Sequence, residues 1–292
     1  MKRRDFVQQT ALTGTILLVQ PPSMLRPKDK HIGVQMWSVR DAADKDPRGT
    51  LEKLSGMGYS EVEGYKYDNG LFYAYSPDAF KKLLKDVDLR MPSAHTGISI
   101  KHWDSSTRTI NDLAKKIIDD HAAIGVKQLI CPSIDEDWRT AEHLKQLCEV
   151  FNHFGEACKK SGIQFGYHNH DNDFKKVENK FIIDLVLQQT DPTLVIWEMD
   201  LYWVKYANED PAKWINQYGE RIHAFHVKDM ADTTRRESVE VGEGTINFET
   251  LFKLPGASKV IYYIVELEDY RTTSMEGVDI SLHHLKKILA KV

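Results

Sequence analysis

Cysteine is scarce in this chain. Three residues, Cys131, Cys148 and Cys158, are scattered over 292 positions without a CxxC pair. That spacing excludes a thiolate zinc ribbon and a thioredoxin-type redox motif, and an odd number cannot all pair within one chain. They are expected to be buried free thiols. A basic excess is missing too: 39 Lys and Arg stand against 43 Asp and Glu, a formal net charge of -4. Neither nucleic acid nor an anionic membrane surface is therefore an expected partner. The apolar run near the N-terminus, Ala11 to Val19, is too short to span a bilayer. No GxGxxG turn follows the first strand-like segment, which argues against an open dinucleotide-binding sheet. No lysine-bearing glycine loop offers a phosphate cradle, and the turn Gly242-Glu243-Gly244 carries a carboxylate of its own.

What is present starts with a separable N-terminus. Met1 to Asp5 is basic, Ala11 to Val19 is apolar, and Gln20 to Lys30 is a proline-containing polar linker. That order matches an export signal. RRDFV resembles the twin-arginine motif of proteins exported already folded, and no cysteine follows the apolar run to carry a lipid. Residues 1–30 are read as signal and linker, and residues 31–292 as a single catalytic domain. The expected location is the periplasm, with no membrane insertion once the signal is removed.

From residue 31 the chain alternates. Strand-like apolar runs occupy His31 to Trp37, Ser60 to Glu63, Arg90 to His95, Lys127 to Pro132, Gln164 to His168, Leu194 to Asp200, Arg221 to Lys228 and Val260 to Leu267. Helical periodicity fills the gaps, at Pro47 to Gly56, Ser76 to Val87, Thr107 to Gly125, Ala141 to Gly162, Phe181 to Thr190, Pro211 to Tyr218, Phe248 to Leu254 and Asp279 to Ala290. Asp46-Pro47, Ser76-Pro77 and Asp210-Pro211 are N-cap-plus-proline starts, and Gly125 and Gly162 sit where C′ glycines belong. Eight strand–helix units predict an α/β fold, the (β/α)8 TIM barrel, with its site at the C-terminal ends of the strands.

A period of two then sorts each strand into faces. The phase that includes the polar ends gives Gln35 and Trp37, Glu61 and Glu63, Ser93 and His95, His168 and His170, Glu198 and Asp200, His226 and Lys228, and Ile264 and Glu266. The other phase is mostly apolar and packs against helices. Taken singly, a strand-end histidine is more often a hydrogen-bonded structural residue, and a strand-end glutamate a surface one. Two imidazoles and two carboxylates from four consecutive strands shift the reading to a divalent-metal site. Mixed nitrogen and oxygen ligands suit Mn, Co, Zn or Fe, with Mg also open.

YHNHD, EMDLYW, HVKD, VGEG and VEL, in that order, resemble the xylose isomerase-like TIM barrel superfamily, in its sugar phosphate isomerase/epimerase branch. The resemblance covers roughly residues 31–290. In its ketose 3-epimerases one metal is held by Glu, Asp, His and Glu from the last four strands, which implies His168, Asp200, His226 and Glu266 here. His168 departs from the pattern, since the epimerases place there a glutamate that is both ligand and acid/base. Glu198 is the expected compensation, as extra ligand or base.

Such a site polarises a carbonyl and stabilises the enediolate left when a neighbouring C–H loses its proton. Glu266 is the expected base and Lys228 the expected oxyanion partner. Glu63, His95 and His170 are expected at sugar hydroxyls, while Trp37 and Trp203, with Trp103 and Trp138, offer apolar faces to the ring. The function implied is a metal-dependent isomerase or epimerase of a keto-sugar. A lyase eliminating from 3-keto-glycosides on the same site is the alternative, and a non-catalytic sugar-binding barrel is a further one. The partner is a small carbohydrate; a homo-oligomer is permitted by the sequence and not specified by it. N-terminal sequencing of the protein from its host's envelope is expected to begin beyond the apolar run, and an intact Met1 on cytosolic protein would remove the export reading.

Overall fold

All eight expected strands form, and their ends fall within a few residues of the expected bounds. The computed structural model describes residues 30–292, so the export-signal reading lies outside the described residues except for Lys30. The strands are β1 His31–Gln35, β2 Glu61–Gly64, β3 Arg90–His95, β4 Gln128–Cys131, β5 Gln164–His168, β6 Val195–Asp200, β7 Ile222–Val227 and β8 Tyr262–Val265. Each pairs in parallel with its neighbours, and β8 closes on β1. A closed ring leaves no strand edge unpaired.

Apart from one turn at Arg40–Ala43 there are nine α-helices among the described residues, and all but Ile182–Gln189 start where a side chain caps them. They are α1 Pro47–Met57, α2 Pro77–Asp86, α3 Asp112–Ile124, α4 Ala141–Lys160, α5 Ile182–Gln189, α6 Leu201–Tyr206, α7 Pro211–Tyr218, α8 Phe248–Phe252 and α9 Ser274–Leu289. Asp46, Ser76 and Asp210 accept backbone N–H groups ahead of proline starts, and Gly125 ends α3 at φ 97. Two boundaries differ from the periodicity. Residues Thr109–Ile110 join Trp103–Asp104 in a hairpin, so α3 begins later than expected. The last helix begins earlier than expected, at Ser274, where Thr273 accepts Glu276 N–H as its cap, and Gly277 within it packs close to Leu267, whose Cδ1 a Cβ there would meet at 2.8 Å. Trp37 also leaves the expected strand. Gln35 accepts from Trp37 N–H and turns the chain into a 3-10 turn, Met36–Val39.

Outward side chains of the strands and inward faces of the helices make the main core. Inside the ring, Ile130, Ile196, Ala224, Tyr262 and Ile264 are buried and form an apolar floor. Gly33 and Gly166 make room for it, since a Cβ on Gly166 would lie 2.6 Å from Ile130 Cδ1 and 2.8 Å from Ile196 Cγ1. The three cysteines are free and buried, and burial pushes the thiols of Cys131 and Cys148 up to about 11 and about 12. Such thiols are inert at neutral pH.

One buried histidine of α3 gives the fold a pH dependence. His121 Nδ1 lies 2.7 Å from Ile117 O, its ring packs on Tyr67 and Phe72, and Nε2 has no partner. Burial lowers its pKa from 6.5 to about 4. The unfolded chain therefore takes up this proton first: the penalty is absent above the unfolded pKa, grows as pH falls, and is complete below the folded one. His121→Phe is expected to gain about 3 kcal/mol over wild type near pH 4 and little above pH 7, read by urea titration. An offset independent of pH would assign the difference to packing instead.

Candidate functional site

Strand register places the inward polar residues side by side. Glu63 lies between Gln35 and Ser93 on β1–β2–β3, Glu198 beside His168 on β6–β5, and Asp200 beside His226 on β6–β7. Asn169 locks the last of these levels. Its side-chain oxygen accepts from Trp197 Nε1 at 2.9 Å and Asp200 N at 3.0 Å, and its amide donates to Asp200 O.

Two imidazoles each face two ways. His168 Nδ1 is 3.2 Å from Glu198 Oε2, while its Nε2 is 3.9 Å from Asp200 Oδ2. His226 Nε2 is 2.7 Å from Glu63 Oε1 and 3.1 Å from Glu198 Oε2, and its Nδ1 is 3.1 Å from Glu266 Oε2. His95 closes the inner ring with Nε2 at 2.7 Å from Glu198 and 3.1 Å from Glu63. Lys228 closes the outer one: its Nζ lies 2.7 Å from Glu266, 3.0 Å from Glu268 and 3.3 Å from Asp200.

Burial opposes every charge here, and pairing decides which survive. The Glu63 and Glu198 carboxylates outweigh burial at His95 and lift it to about 9, and with Glu266 they hold His226 well above its usual range. Burial dominates at His168, which falls well below its usual range and stays neutral. It also raises Asp200 to about 6. Against burial, His95 and His226 keep Glu63 ionised, Lys228 and His226 keep Glu266 ionised, and three carboxylates keep Lys228 charged.

Two groups of four bring one ligand atom each within 4.8 Å of one another: an outer set, His168, Asp200, His226 and Glu266, and an inner set, His95, His168, Glu198 and His226. Tetrahedral ligands about a zinc-sized ion stand roughly 3.3 Å apart. In the inner set His95 and Glu198, 2.7 Å apart, are already in a direct hydrogen bond, and Glu198 also stands 3.1 Å from His226 and 3.2 Å from His168. The outer set is more open, and its Asp200 Oδ2 is buried without a hydrogen bond despite Lys228 nearby. A divalent cation fits the outer set better, and His226 would join it by giving up the proton that its carboxylates hold. A carboxylate can only accept, so the neutral His168 carries its proton on Nδ1 toward Glu198 and turns its Nε2 lone pair to the outer set. Glu198 and Glu63 then fix the two imidazoles from behind.

A cavity of about 450 Å³ opens over the outer set, where His95, His168 and Glu266 reach its wall. Trp37, Tyr65, His170, Trp203 and Glu268 complete the parts used below. Trp37 is 40% exposed. A larger cavity, about 580 Å³, opens around Glu61, His31 and Arg90 at the strands' N-terminal ends. Neither ligand group belongs to it, and barrel sites lie at the other end.

Of the residues expected from sequence, His168, Asp200, His226 and Glu266 come together, and Trp37, His95, His170, Trp203 and Glu266 line the cavity. Three expectations change. Glu63 is fully buried under His226 and His95, so it does not reach a sugar hydroxyl. Glu198 is likewise covered, which removes it as a base, and it supports imidazoles instead. Lys228 is fully buried among three carboxylates, so its ammonium is already engaged. Tyr65 and Glu268 were missed. Each continues an inward phase, Tyr65 two residues beyond Glu63 and Glu268 two beyond Glu266, so both were within reach of the same rule just past the strand ends.

An inosose dehydratase from Clostridium perfringens is 24% identical over 264 residues, 80% of this chain and 87% of that protein. Another from Geobacillus kaustophilus is 27% identical over 275 residues, with the same 80% and 87% coverage. The crystal structure of a sugar phosphate isomerase/epimerase from Parabacteroides distasonis superposes with a TM-score of 0.76 at 30% identity, covering 91% of this chain and 96% of that one. The family description xylose isomerase-like TIM barrel matches residues 51–288, and with the closed barrel and its polar mouth this chain belongs to that family.

Proposed function

We propose that the protein is a divalent-metal-dependent enzyme that removes a proton beside the carbonyl of a keto-sugar or keto-cyclitol and then expels a hydroxyl from the next carbon as water. One observation carries this reading: in the outer set, Glu266 is the one carboxylate that also lines the cavity. Epimerisation calls for a proton-transferring group on each face of the carbon. Where the resemblance places the second carboxylate stands His168, whose Nδ1 is held by Glu198. The inosose dehydratases, alike over most of the chain, support a dehydration.

His168, Asp200, His226 and Glu266 would hold the cation, which supplies carbonyl polarisation and charge for the developing oxyanion. Glu266 accepts the proton at a carboxylate oxygen. Lys228, 2.7 Å away, keeps that carboxylate ionised. In a syn elimination Glu266 hands the same proton to the departing hydroxyl: the C–H and C–O bonds break, a C=C bond forms, and water leaves. One carboxylate thus serves both transfers. Epimerisation is the second reading, favoured by Glu268, a second carboxylate on the cavity wall. We extend the proposal to location: the protein acts after export, a reading supported by the basic, apolar and linker order of residues 1–30.

Metal analysis of protein purified without a chelating tag is expected to give close to one divalent ion per chain, lost in Asp200→Ala. Glu198→Gln, which acts from behind His168, is expected to weaken the metal about 10- to 100-fold without abolishing binding. Unchanged affinity would deny Glu198 its positioning role. For the chemistry, Glu266→Gln is expected to slow uptake of solvent deuterium into a keto-cyclitol by at least about 100-fold. Wild-type enzyme should form a dehydrated enone seen by ultraviolet absorbance and mass. Deuterium uptake without loss of water would select the epimerase reading.

A further inference from the structure

We infer, resting on the function proposed above, that the substrate is an uncharged polyhydroxylated ring and that this site rejects its phosphate esters. The glycine turn beside the site is where a phosphate would be sought, because successive backbone N–H groups at such turns form anion cradles. That cradle is filled from within. Asp229, which follows Lys228 and is buried, accepts four backbone N–H groups: Met230 at 2.8 Å and Ile246 at 3.0 Å on Oδ1, Gly242 at 2.9 Å and Gly244 at 3.1 Å on Oδ2. Gly244 is glycine for the same reason, since a Cβ would stand 2.4 Å from Asp229 Oδ1.

The one cationic side chain on the cavity wall, among the described residues, is His95, and its Nε2 is already shared by Glu198 at 2.7 Å and Glu63 at 3.1 Å. Among the described residues no lysine or arginine lines it, whereas Glu266 and Glu268 do. Lys228 is covered and shared by three carboxylates. Arg40, stacked 4.6 Å over Trp37, donates to the Trp37 and Glu268 carbonyl oxygens. Beside these charges the wall presents the rings of Trp37, Tyr65 and Trp203. Such a surface takes the C–H face of a sugar ring. Asp200 and Glu266 would already match the cation's two charges, as Glu63 and Glu198 match His95, so a dianion there meets Glu268 with no uncompensated positive charge to offset the repulsion.

Binding and chemistry are measured separately, by calorimetry and by solvent-deuterium uptake, on the metal-loaded full-length protein. The probes are 2-keto-myo-inositol, D-fructose, D-allulose and a methyl 3-keto-glucoside, with fructose 6-phosphate, allulose 6-phosphate and inorganic phosphate. At least one neutral ring is expected to bind, about tenfold or more tighter than any ester, with the margin narrowing in Glu268→Gln. An ester that binds as tightly as its parent, displacement by inorganic phosphate, or binding by none of the neutral rings overturns the inference. Neutral rings that bind without deuterium uptake would leave the substrate class standing and remove the proposed chemistry. Uptake confined to an ester would do the reverse.

Discussion

The site rests on a buried chain of carboxylates and imidazoles: Glu63 holds His226, His226 holds Glu266, and Glu266 holds Lys228. His226 and Lys228 have no surface left, and Glu63 has none either. A charge so placed is tolerable only when its partners are in position, and removing one partner of a buried pair costs roughly 3–5 kcal/mol. The partners come from β2, β7 and β8, with β1 and β8 lying between β2 and β7 in the wall. The Glu63–His226 contact therefore exists only when the ring is closed. Below it the isoleucine floor keeps the interior dry, which strengthens each of these contacts.

Asp200 shows how little of this polar chemistry is spare. Its Oδ1 accepts from Trp203 N at 3.0 Å and so caps α6, and its Oδ2 is left to the outer set. The same capping bond fixes Trp203 at the cavity wall, with Lys228 Nζ 4.9 Å over its ring. Strand end, helix start, candidate cation site and cavity wall thus meet in one side chain. A cation drawn to Oδ2 would act on a carboxylate whose direction is already set by the helix, so the site needs little reorganisation to accept it.

The barrel was legible because a period of two over short apolar runs, separated by capped helices, is a local signal. What a period cannot report is depth. It put Glu63, Glu198 and Glu266 on one face correctly, yet Glu266 reaches the cavity while the other two lie beneath imidazoles. That order follows from the pairing of Glu63 with Ser93 and of Glu198 with His168, and register is a property of neighbours rather than of a strand. The rim hairpins escaped notice for a different reason. Their strands are two residues long, and two of the hairpins, Trp103–Asp104 with Thr109–Ile110 and Lys176–Val177 with Lys180–Phe181, turn on left-handed Arg108 or on Glu178 and Asn179 with no glycine to mark them. The Asn69-Gly70 turn between Tyr67–Asp68 and Leu71–Phe72 does carry the usual mark. Asp229 was hidden inside HVKD, where nothing in the sequence says that the amides it needs lie more than ten residues further on.

The histidine at position 168 changes the arithmetic of the whole mouth. A ligand set of two imidazoles with Asp200 and Glu266 carries two negative charges, against three for the Glu, Asp, His and Glu arrangement it resembles. Two charges balance a dication. The third carboxylate has not vanished; Glu198 stands behind His168 at 3.2 Å, where it orients the ring without entering the cavity. Negative charge has thus moved from the substrate's side of the site to the far side. With one proton acceptor left in the ligand set facing the substrate, a proton removed there has one carboxylate to return from. A reaction that ends by giving it to a leaving group uses that arrangement fully, whereas one that must deliver a proton to the opposite face has to draw on Glu268, outside the set and tied to Lys228 at 3.0 Å.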